Sequence, residues 1–337
     1  MKILLTGSSG YIGRQLAVRL KQENHQVIGL DRDFHASAQL DEFIQCDLLE
    51  PNRYAERLAG IDMICHLAAA KGDWGISEEE YFRDNVEATR ALLSAARQAD
   101  IRRWVFYSTV SVLGPSDSPL DEAAPHRPMN PYGASKAVCE EMLRQFANES
   151  AGARVVTIRP SVVFGPDNPW NTNVFRLIEA IYRNRFAMIG RGNSVKTTSY
   201  IANLVDAHMF LMDRWFADGQ KRYDVFHCVD DPAETTAWLV DRIRTLLGRR
   251  PSRWRIPLWM ASPLALTGDA AAALTGIDLP ITSARVRKFC TATNFSSEKI
   301  RHLGFIQPIS NEDAVVTTVN WYVNTYLNER AASSASV

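Results

Sequence analysis

Short apolar runs alternate with longer stretches of helical period over the first half of the chain. Lys2–Thr6, Gln26–Asp31, Ile61–Leu67, Arg103–Ser108 and Ala153–Arg159 are rich in Val and Ile and too short for helices, so they predict strands. Between them, Tyr11–Glu23, Glu78–Ala99 and Tyr132–Ala151 carry helical periodicity. Strands apolar on both faces and separated by helices predict a parallel sheet covered on both sides, a doubly wound α/β fold. Past Gly165 the alternation weakens. Helical stretches at Thr172–Arg185, Asn203–Phe216, Thr235–Leu247 and Asn311–Leu327 dominate, with short strand candidates at Ser199–Ile201 and Asp224–Cys228. That change predicts a smaller, mostly helical C-terminal lobe interleaved with the sheet domain. The small, polar end at 331–337 reads as a disordered tail.

Composition narrows the class of protein. The 337 residues hold 38 Lys+Arg and 38 Asp+Glu, a formal net charge of zero, so no basic footprint points to nucleic acid. The five cysteines are odd in number, far apart and never in a CxxC pair. This predicts no disulfide framework and no thiolate metal site, and suits a reducing, cytoplasmic setting. The N-terminal apolar run is too short for a secretory segment. The longest apolar region, Ile256–Leu274, is interrupted by Pro257, Pro263, Gly268 and Asp269, which argues against a membrane span.

The chemistry begins at Thr6-Gly7-Ser8-Ser9-Gly10-Tyr11-Ile12-Gly13, where glycines recur every three residues between a strand and a helix. Such a turn lets the backbone approach a pyrophosphate that then rests on the helix N-terminus. The spacing is GxxGxxG, not GxGxxG, and a tight strand–helix turn explains an isolated match equally well. Asp31 closes the second strand, placed to accept both ribose hydroxyls of an adenosine and to repel a 2′-phosphate, which favours NAD. Arg32 and Arg14 beside it leave NADP open. Asp47, in Cys46-Asp47-Leu48, suits either an adenine amino group or a helix cap.

Tyr132 and Lys136, in Pro131-Tyr132-Gly133-Ala134-Ser135-Lys136, stand one helical turn apart, so the ammonium can lie near the phenol. A neighbouring cation lowers a Tyr pKa toward neutrality. Ser108 and Thr109 leave the end of a candidate strand, where open parallel sheets bind ligands, and either hydroxyl could hold the oxygen that Tyr132 deprotonates. A turn-capping hydroxyl and an exposed helix pair are the plain alternatives.

Together these segments resemble the extended short-chain dehydrogenase/reductases, in the branch of NAD-dependent sugar-nucleotide epimerases and dehydratases, over nearly the whole chain. TGSSGYIG at 6–13 is similar to that family's cofactor loop, and HLAA at 66–69 to the segment beside the cofactor. Asn85 in DNVEAT, YSTVSVLG at 107–114, PYGASK at 131–136 and IRPSVVFGP at 158–166 resemble its further motifs. The resemblance implies a Rossmann-type domain over 1–165 and 196–230, and a substrate lobe over 166–195 and 231–330. It makes Tyr132 the general acid/base, Lys136 its activator and Thr109 the hydroxyl partner. It lines the NAD site with Gly7, Gly10, Tyr11, Ile12, Gly13, Asp31, Arg32, Asp47, Leu48, Leu67, Ala68, Ala69, Asn85, Ser108, Tyr132, Lys136 and Pro160. For the substrate it implies Lys71, Trp74, Thr109, Asn173 and Lys196. Lys196 falls where many members carry an arginine, and a lysine keeps the charge but loses the bidentate fork.

The resemblance implies a homodimer and a small-molecule substrate, a nucleotide sugar, turned over by a 4-epimerase or 4-ketoreductase. Val110-Ser111 after Thr109, where dehydratases usually place Asp-Glu, argues against loss of water. Asn203–His208, Ile256-Pro257-Leu258-Trp259 and Ala284–Lys288 are similar to 3β-hydroxysteroid dehydrogenase-like members, which implies an alternative apolar alcohol substrate. His208 reads as a packing residue. A non-catalytic nucleotide sensor is the third reading, and the intact Thr109, Tyr132 and Lys136 speak against it.

Overall fold

The computed structural model describes residues 1–35, 39–72, 75–219, 221–250, 255–257, 259–261, 263, 266–269, 283, 286 and 290–335. Trp74 lies outside them, as do Leu258 and most of Ala284–Lys288. In chain order the strands are β1 (Lys2–Thr6), β2 (Gln26–Asp31), β3 (Glu42–Gln45), β4 (Met63–His66), β5 (Arg103–Tyr107), β6 (Ser116–Leu120), β7 (Arg154–Pro160) and β8 (Val162–Phe164). They continue with β9 (Met188–Ile189), β10 (Val195–Lys196), β11 (Thr198–Tyr200), β12 (Tyr223–Cys228), β13 (Glu234–Thr235), β14 (Arg255–Ile256) and β15 (Thr293–Phe295). The first helices are α1 (Tyr11–Gln22), α2 (Glu78–Tyr81), α3 (Ala88–Gln98) and α4 (Pro131–Glu149). They are followed by α5 (Asn173–Tyr182), α6 (Ile201–Asp218) and α7 (Thr236–Leu246).

Seven strands form one parallel sheet in the order β12-β7-β5-β4-β1-β2-β3. The reason is visible along β1. Ile3 and Leu5 pack with Leu16 and Leu20 of α1 and Leu204 and Leu211 of α6, whereas Leu4 packs with Leu92 of α3 and Leu143 and Phe146 of α4. Successive strand side chains point to opposite faces, so an all-apolar strand requires helices on both. Strand order reverses beside β1, and the crevice at the carboxyl ends of β1, β4 and β5 is where such sheets hold ligands.

Three differences from the sequence expectation have physical causes. Glu78–Ala99 is not one uniform helix: a wide turn over Phe82–Glu87 separates α2 from α3 and carries the buried Asn85. Such bulges add a residue to the turn and re-aim a side chain. A second sheet, β13-β10-β15-β6, was not expected, because its strands are short and β6 reads Ser-Asp-Ser-Pro-Leu, with no apolar alternation. The last helix, Leu327–Ala335, continues past the tail boundary drawn at 331, carried by alanines, which are strong helix formers.

Candidate active site

Gly7 ends β1 with φ +69°, a left-handed conformation, and a Cβ there would lie 2.7 Å from the Ala68 amide nitrogen. At Gly13 a Cβ would lie 2.1 Å from the Gly7 carbonyl oxygen. Gly10 caps α1 without a side-chain hydrogen bond, and the first turn of α1 has no carboxylate, so its amides face outward unneutralised. Tyr11 Oη donates to the Pro166 carbonyl at 2.9 Å, tying the turn to the loop after β8, and Ile12 is half-buried beside it. The Ser8 and Ser9 hydroxyls are buried without partners among the described residues. A glycine cradle, an uncapped helix N-terminus and orphaned hydroxyls fit a dinucleotide diphosphate. Gly13→Ala should therefore cost at least about 1–3 kcal/mol of stability through overpacking. It should also weaken NAD binding more than about tenfold, read by thermal unfolding and by titration with NAD.

Asp31 fixes this turn: its Oδ2 accepts from the Ser9 amide at 2.9 Å and its Oδ1 from the Arg32 amide at 2.8 Å. Arg32 does not stand open toward a 2′-phosphate. Its Nη1 meets Asp84 Oδ2 and its Nε meets Asp47 Oδ2, both at 2.9 Å. The Asp84 hydrogen bond, opposed by partial burial and helped by the charge of Asp47, raises the Arg32 pKa. Asp47 is thus committed to Arg32 and, through Oδ1, to the Leu49 amide at 2.9 Å, while Leu48 is buried in the core. Arg14, by contrast, lies within α1.

At the end of β4, the Leu67 amide donates to Thr6 O and the Ala68 amide to Thr6 Oγ1, each at 3.2 Å, and Ala69 follows on the same half-buried strand exit. Asn85 accepts from the Ala70 amide at 2.7 Å and donates to Ser135 Oγ at 2.9 Å. His66 joins this polar chain through Thr6 Oγ1 (2.7 Å) and Thr89 Oγ1 (3.0 Å), and burial followed by the Lys136 charge drives its pKa down to about 3, keeping it neutral.

The catalytic candidates gather at the end of β5. Asn130 caps α4 through a 2.7 Å bond from the Gly133 amide, with Pro131 in the first turn. A Cβ on Gly133 would lie 2.6 Å from the Ser111 carbonyl oxygen, so the Tyr132 turn packs directly on the segment after Thr109. Thr109 Oγ1 accepts from the Ser111 amide at 3.1 Å and donates to Ser111 Oγ at 3.2 Å, holding the hydroxyl at the strand end. The Tyr132 ring leans on Tyr81 (centroids 6.0 Å), whose Oη donates to the Gly72 carbonyl.

Lys136 is fully buried, its ammonium 4.1 Å from the Phe106 ring centroid. Burial lowers its pKa to about 8, against the upward pull of Cys139 and Glu140. The expected lowering of the Tyr132 pKa is corrected here. Burial raises it, with Tyr81 and Cys139 adding to the rise, and Lys136, held on Phe106, does not offset that.

A buried ion network below these residues escaped the sequence reading. Arg159 Nε meets Glu140 Oε1 at 2.8 Å and its Nη2 meets Oε2 at 2.6 Å, while His126 Nε2 lies 2.9 Å from Glu140 Oε2. Burial pushes Glu140 upward, but hydrogen bonds from Arg159 and His126 and the Arg159 charge outweigh it and bring its pKa down to about 2. Glu140 stands one turn beyond Lys136, and Arg159 precedes the buried Pro160 at the end of β7, so the network locks α4 onto the sheet. The spacing of Lys136 and Glu140 on one helix face was the available signal.

The substrate candidates are spread out. Lys71 is exposed in the loop after β4, and Asn173 is exposed at the first position of α5. Lys196 is half-buried on β10, and its Nζ donates to the Thr291 carbonyl. His208 is a packing residue, stacked on Tyr107 and neutral because burial lowers its pKa to about 3.

Residues 3–226 match the model of the NAD dependent epimerase/dehydratase family, and the chain belongs to that family. It is an enzyme of the extended short-chain dehydrogenase/reductase type, with NAD as its cofactor. An N-acetyl-alpha-D-glucosaminyl-diphospho-ditrans,octacis-undecaprenol 4-epimerase of Escherichia coli O157:H7 is 30% identical over 325 residues, 95% of this chain and 94% of that protein. A 2-alkyl-3-oxoalkanoate reductase of Stenotrophomonas maltophilia (strain K279a) is 32% identical over 221 residues, 63% of this chain and 66% of its own length. Among solved structures, MoeE5 in complex with UDP-glucose and NAD has a TM-score of 0.77 at 25% identity, covering 97% of this chain and all of that one (100%).

Proposed function

We propose that this enzyme oxidises and re-reduces, or simply reduces, the C4 position of a diphosphate-linked sugar, acting as a 4-epimerase or 4-ketoreductase. The observation that carries the reading is the packing of the Tyr132 turn against the Thr109 segment, with Lys136 buried behind it, beside the glycine cradle. Bound in that cradle, NAD supplies a nicotinamide carbon that takes up and returns a hydride. Gly7, Gly10, Gly13 and the amides of α1 hold the diphosphate, and Asp31 meets the adenosine ribose. Thr109 Oγ1 orients the substrate oxygen. Tyr132 Oη removes the hydroxyl proton in oxidation and restores it in reduction, and the Lys136 ammonium stabilises the oxyanion formed on the way. With oxidised cofactor bound, a second positive charge favours the phenolate that burial alone disfavours.

Lys196, on β10 where the substrate segment 166–195 rejoins the Rossmann-type domain, supports the diphosphate assignment as a point charge. Incubation with UDP-N-acetylglucosamine and UDP-glucose, with chromatography of the sugars and absorbance of reduced cofactor, tests the reading. A C4-inverted sugar identifies an epimerase, and stoichiometric oxidation of NADH added with the corresponding 4-keto nucleotide sugar identifies a reductase. Neither product from any diphosphate sugar would sink it.

NAD preference rests on Asp31 and on the sequestered Arg32. Asp31→Asn should weaken NAD about 10- to 100-fold, the loss of a charged hydrogen-bond acceptor. It should gain little NADP activity, because Asp47 and Asp84 still hold the guanidinium. Adding Asp84→Asn should raise the NADP-to-NAD ratio of kcat/KM further, and an unchanged ratio would remove the clamp from cofactor selection.

A further inference from the structure

Between Asp241 and Asp269 the chain has six arginines, at 242, 244, 249, 250, 253 and 255, and no carboxylate, in a protein of zero net charge. Arg242 pairs with Glu312. Three more lean on carbonyl oxygens: Arg244 on Phe186, Arg249 on Tyr182 and Arg255 on Arg191, at 3.2, 2.7 and 2.7 Å, while Arg250 is exposed. A carbonyl fixes a guanidinium in place without neutralising it, so this segment presents net positive charge.

After it, three large apolar side chains of the described residues face outward. Trp259 is 76% exposed, Met260 50% and Leu266 64%, while Ala261 and Ile256 turn in to a small cluster with Ile189 and Val286. One side of the segment packs on β9 through β14, and the other offers aromatic and aliphatic groups to the surroundings. Arginines flanking an exposed Trp, Met and Leu are the chemistry of a membrane–water interface, where the cations meet lipid phosphates and the apolar groups enter the acyl boundary. Among the described residues no helix is long and apolar enough to cross a membrane.

We propose that the face carrying Arg249, Arg250, Arg255, Trp259, Met260 and Leu266 docks this enzyme on the surface of an anionic phospholipid bilayer, and that its sugar substrate is carried there on a lipid diphosphate. The second clause rests on the function proposed above and gives Lys196 the phosphates of a lipid carrier instead of those of a nucleoside. The relatives that act on an undecaprenol-linked sugar and on a 2-alkyl-3-oxoalkanoate suit a site that admits an apolar tail.

Flotation of the full chain with vesicles tests the docking without any turnover. Vesicles of phosphatidylglycerol and phosphatidylcholine are compared with pure phosphatidylcholine, at low and high salt. Binding should need phosphatidylglycerol and should fall with salt. Each arginine near an anionic leaflet strengthens binding roughly fivefold, so the triple variant Arg249→Gln/Arg250→Gln/Arg255→Gln should bind about 100-fold more weakly. Trp259→Ser/Leu266→Ser, which keeps the charge, should lose more than about tenfold by giving up interfacial apolar area. NAD binding, measured alongside, should not change in either variant, which separates lost docking from a lost fold. No flotation on anionic vesicles, or flotation equal in wild type and both variants, would overturn the docking. So would loss of a dimer in sedimentation without any vesicle binding, which would make the face a contact between copies. The lipid clause has a separate readout: a polyprenyl-diphosphate sugar in those vesicles should be turned over with a higher kcat/KM than its UDP counterpart. The reverse preference overturns that clause, while failure on both sugars sinks the proposed function and leaves the flotation result standing.

Discussion

Tyr132→Phe will remove about 10²–10⁴-fold of kcat, the range lost when a positioned general acid/base is deleted. It will leave NAD affinity and the folded state intact. The substitution deletes one oxygen from a ring that keeps its contact with Tyr81. Asn130 still caps α4 through the Gly133 amide, so the backbone that places position 132 does not depend on the phenol. The check is single-turnover absorbance of reduced cofactor alongside a titration with NAD. A variant that binds NAD as tightly and still turns over within a factor of about two would move the proton chemistry to another group. Lys136→Met should be less selective. It removes a cation packed on Phe106 and also replaces a fully buried side chain, so turnover and thermal stability should fall together.

The second large effect is on folding. Glu140→Ala strands the Arg159 guanidinium, 3% exposed, without its carboxylate, and breaking a buried pair this way costs about 3–5 kcal/mol. The double variant Glu140→Leu/Arg159→Met should recover much of that loss, because apolar replacement of both partners removes the stranded charge. Urea unfolding of the single and double variants tests this, and an unchanged midpoint in Glu140→Ala would mean that the pair does not hold α4. The sign of the pH dependence follows from the lowered pKa. The folded carboxyl titrates near 2 against an ordinary value of 4.5. Its stabilisation is complete above about 4.5 and is lost as pH falls from there toward 2, because the unfolded chain takes up the proton first. Wild type should therefore lose stability on acidification through that window more steeply than the double variant.

Much of the framework is legible in the sequence because its signals are local. The five strand runs of the first half lie within a residue or two of β1, β2, β4, β5 and β7, since each is an unbroken apolar segment between helical periods. The glycine turn and the Tyr132–Lys136 pair are likewise short-range patterns. What escaped depends on partners far apart in the chain. Arg159 finds Glu140 19 residues away, and Arg32 finds Asp84 52 residues away, with nothing at either position to announce the other. Arg32 therefore reads in sequence as a cation available to phosphate, and in three dimensions as one already neutralised. The phenol of Tyr132 shows the converse problem: its neighbours in sequence are those expected, but burial, which no local pattern reports, sets its proton affinity.

The short strand β15 has a consequence for selectivity. On one edge it pairs with β6, which follows the turn that Thr109 caps, and on the other with β10, which carries Lys196. A substrate held at Thr109 and Lys196, as proposed above, would be gripped at its two ends by a single hydrogen-bonded ladder, and neither grip would slide without the other. Such a ladder acts as a fixed gauge. On the proposed function, molecules whose reacting carbon and anionic group stand farther apart, or closer, than this span would be rejected by length, whatever their other contacts.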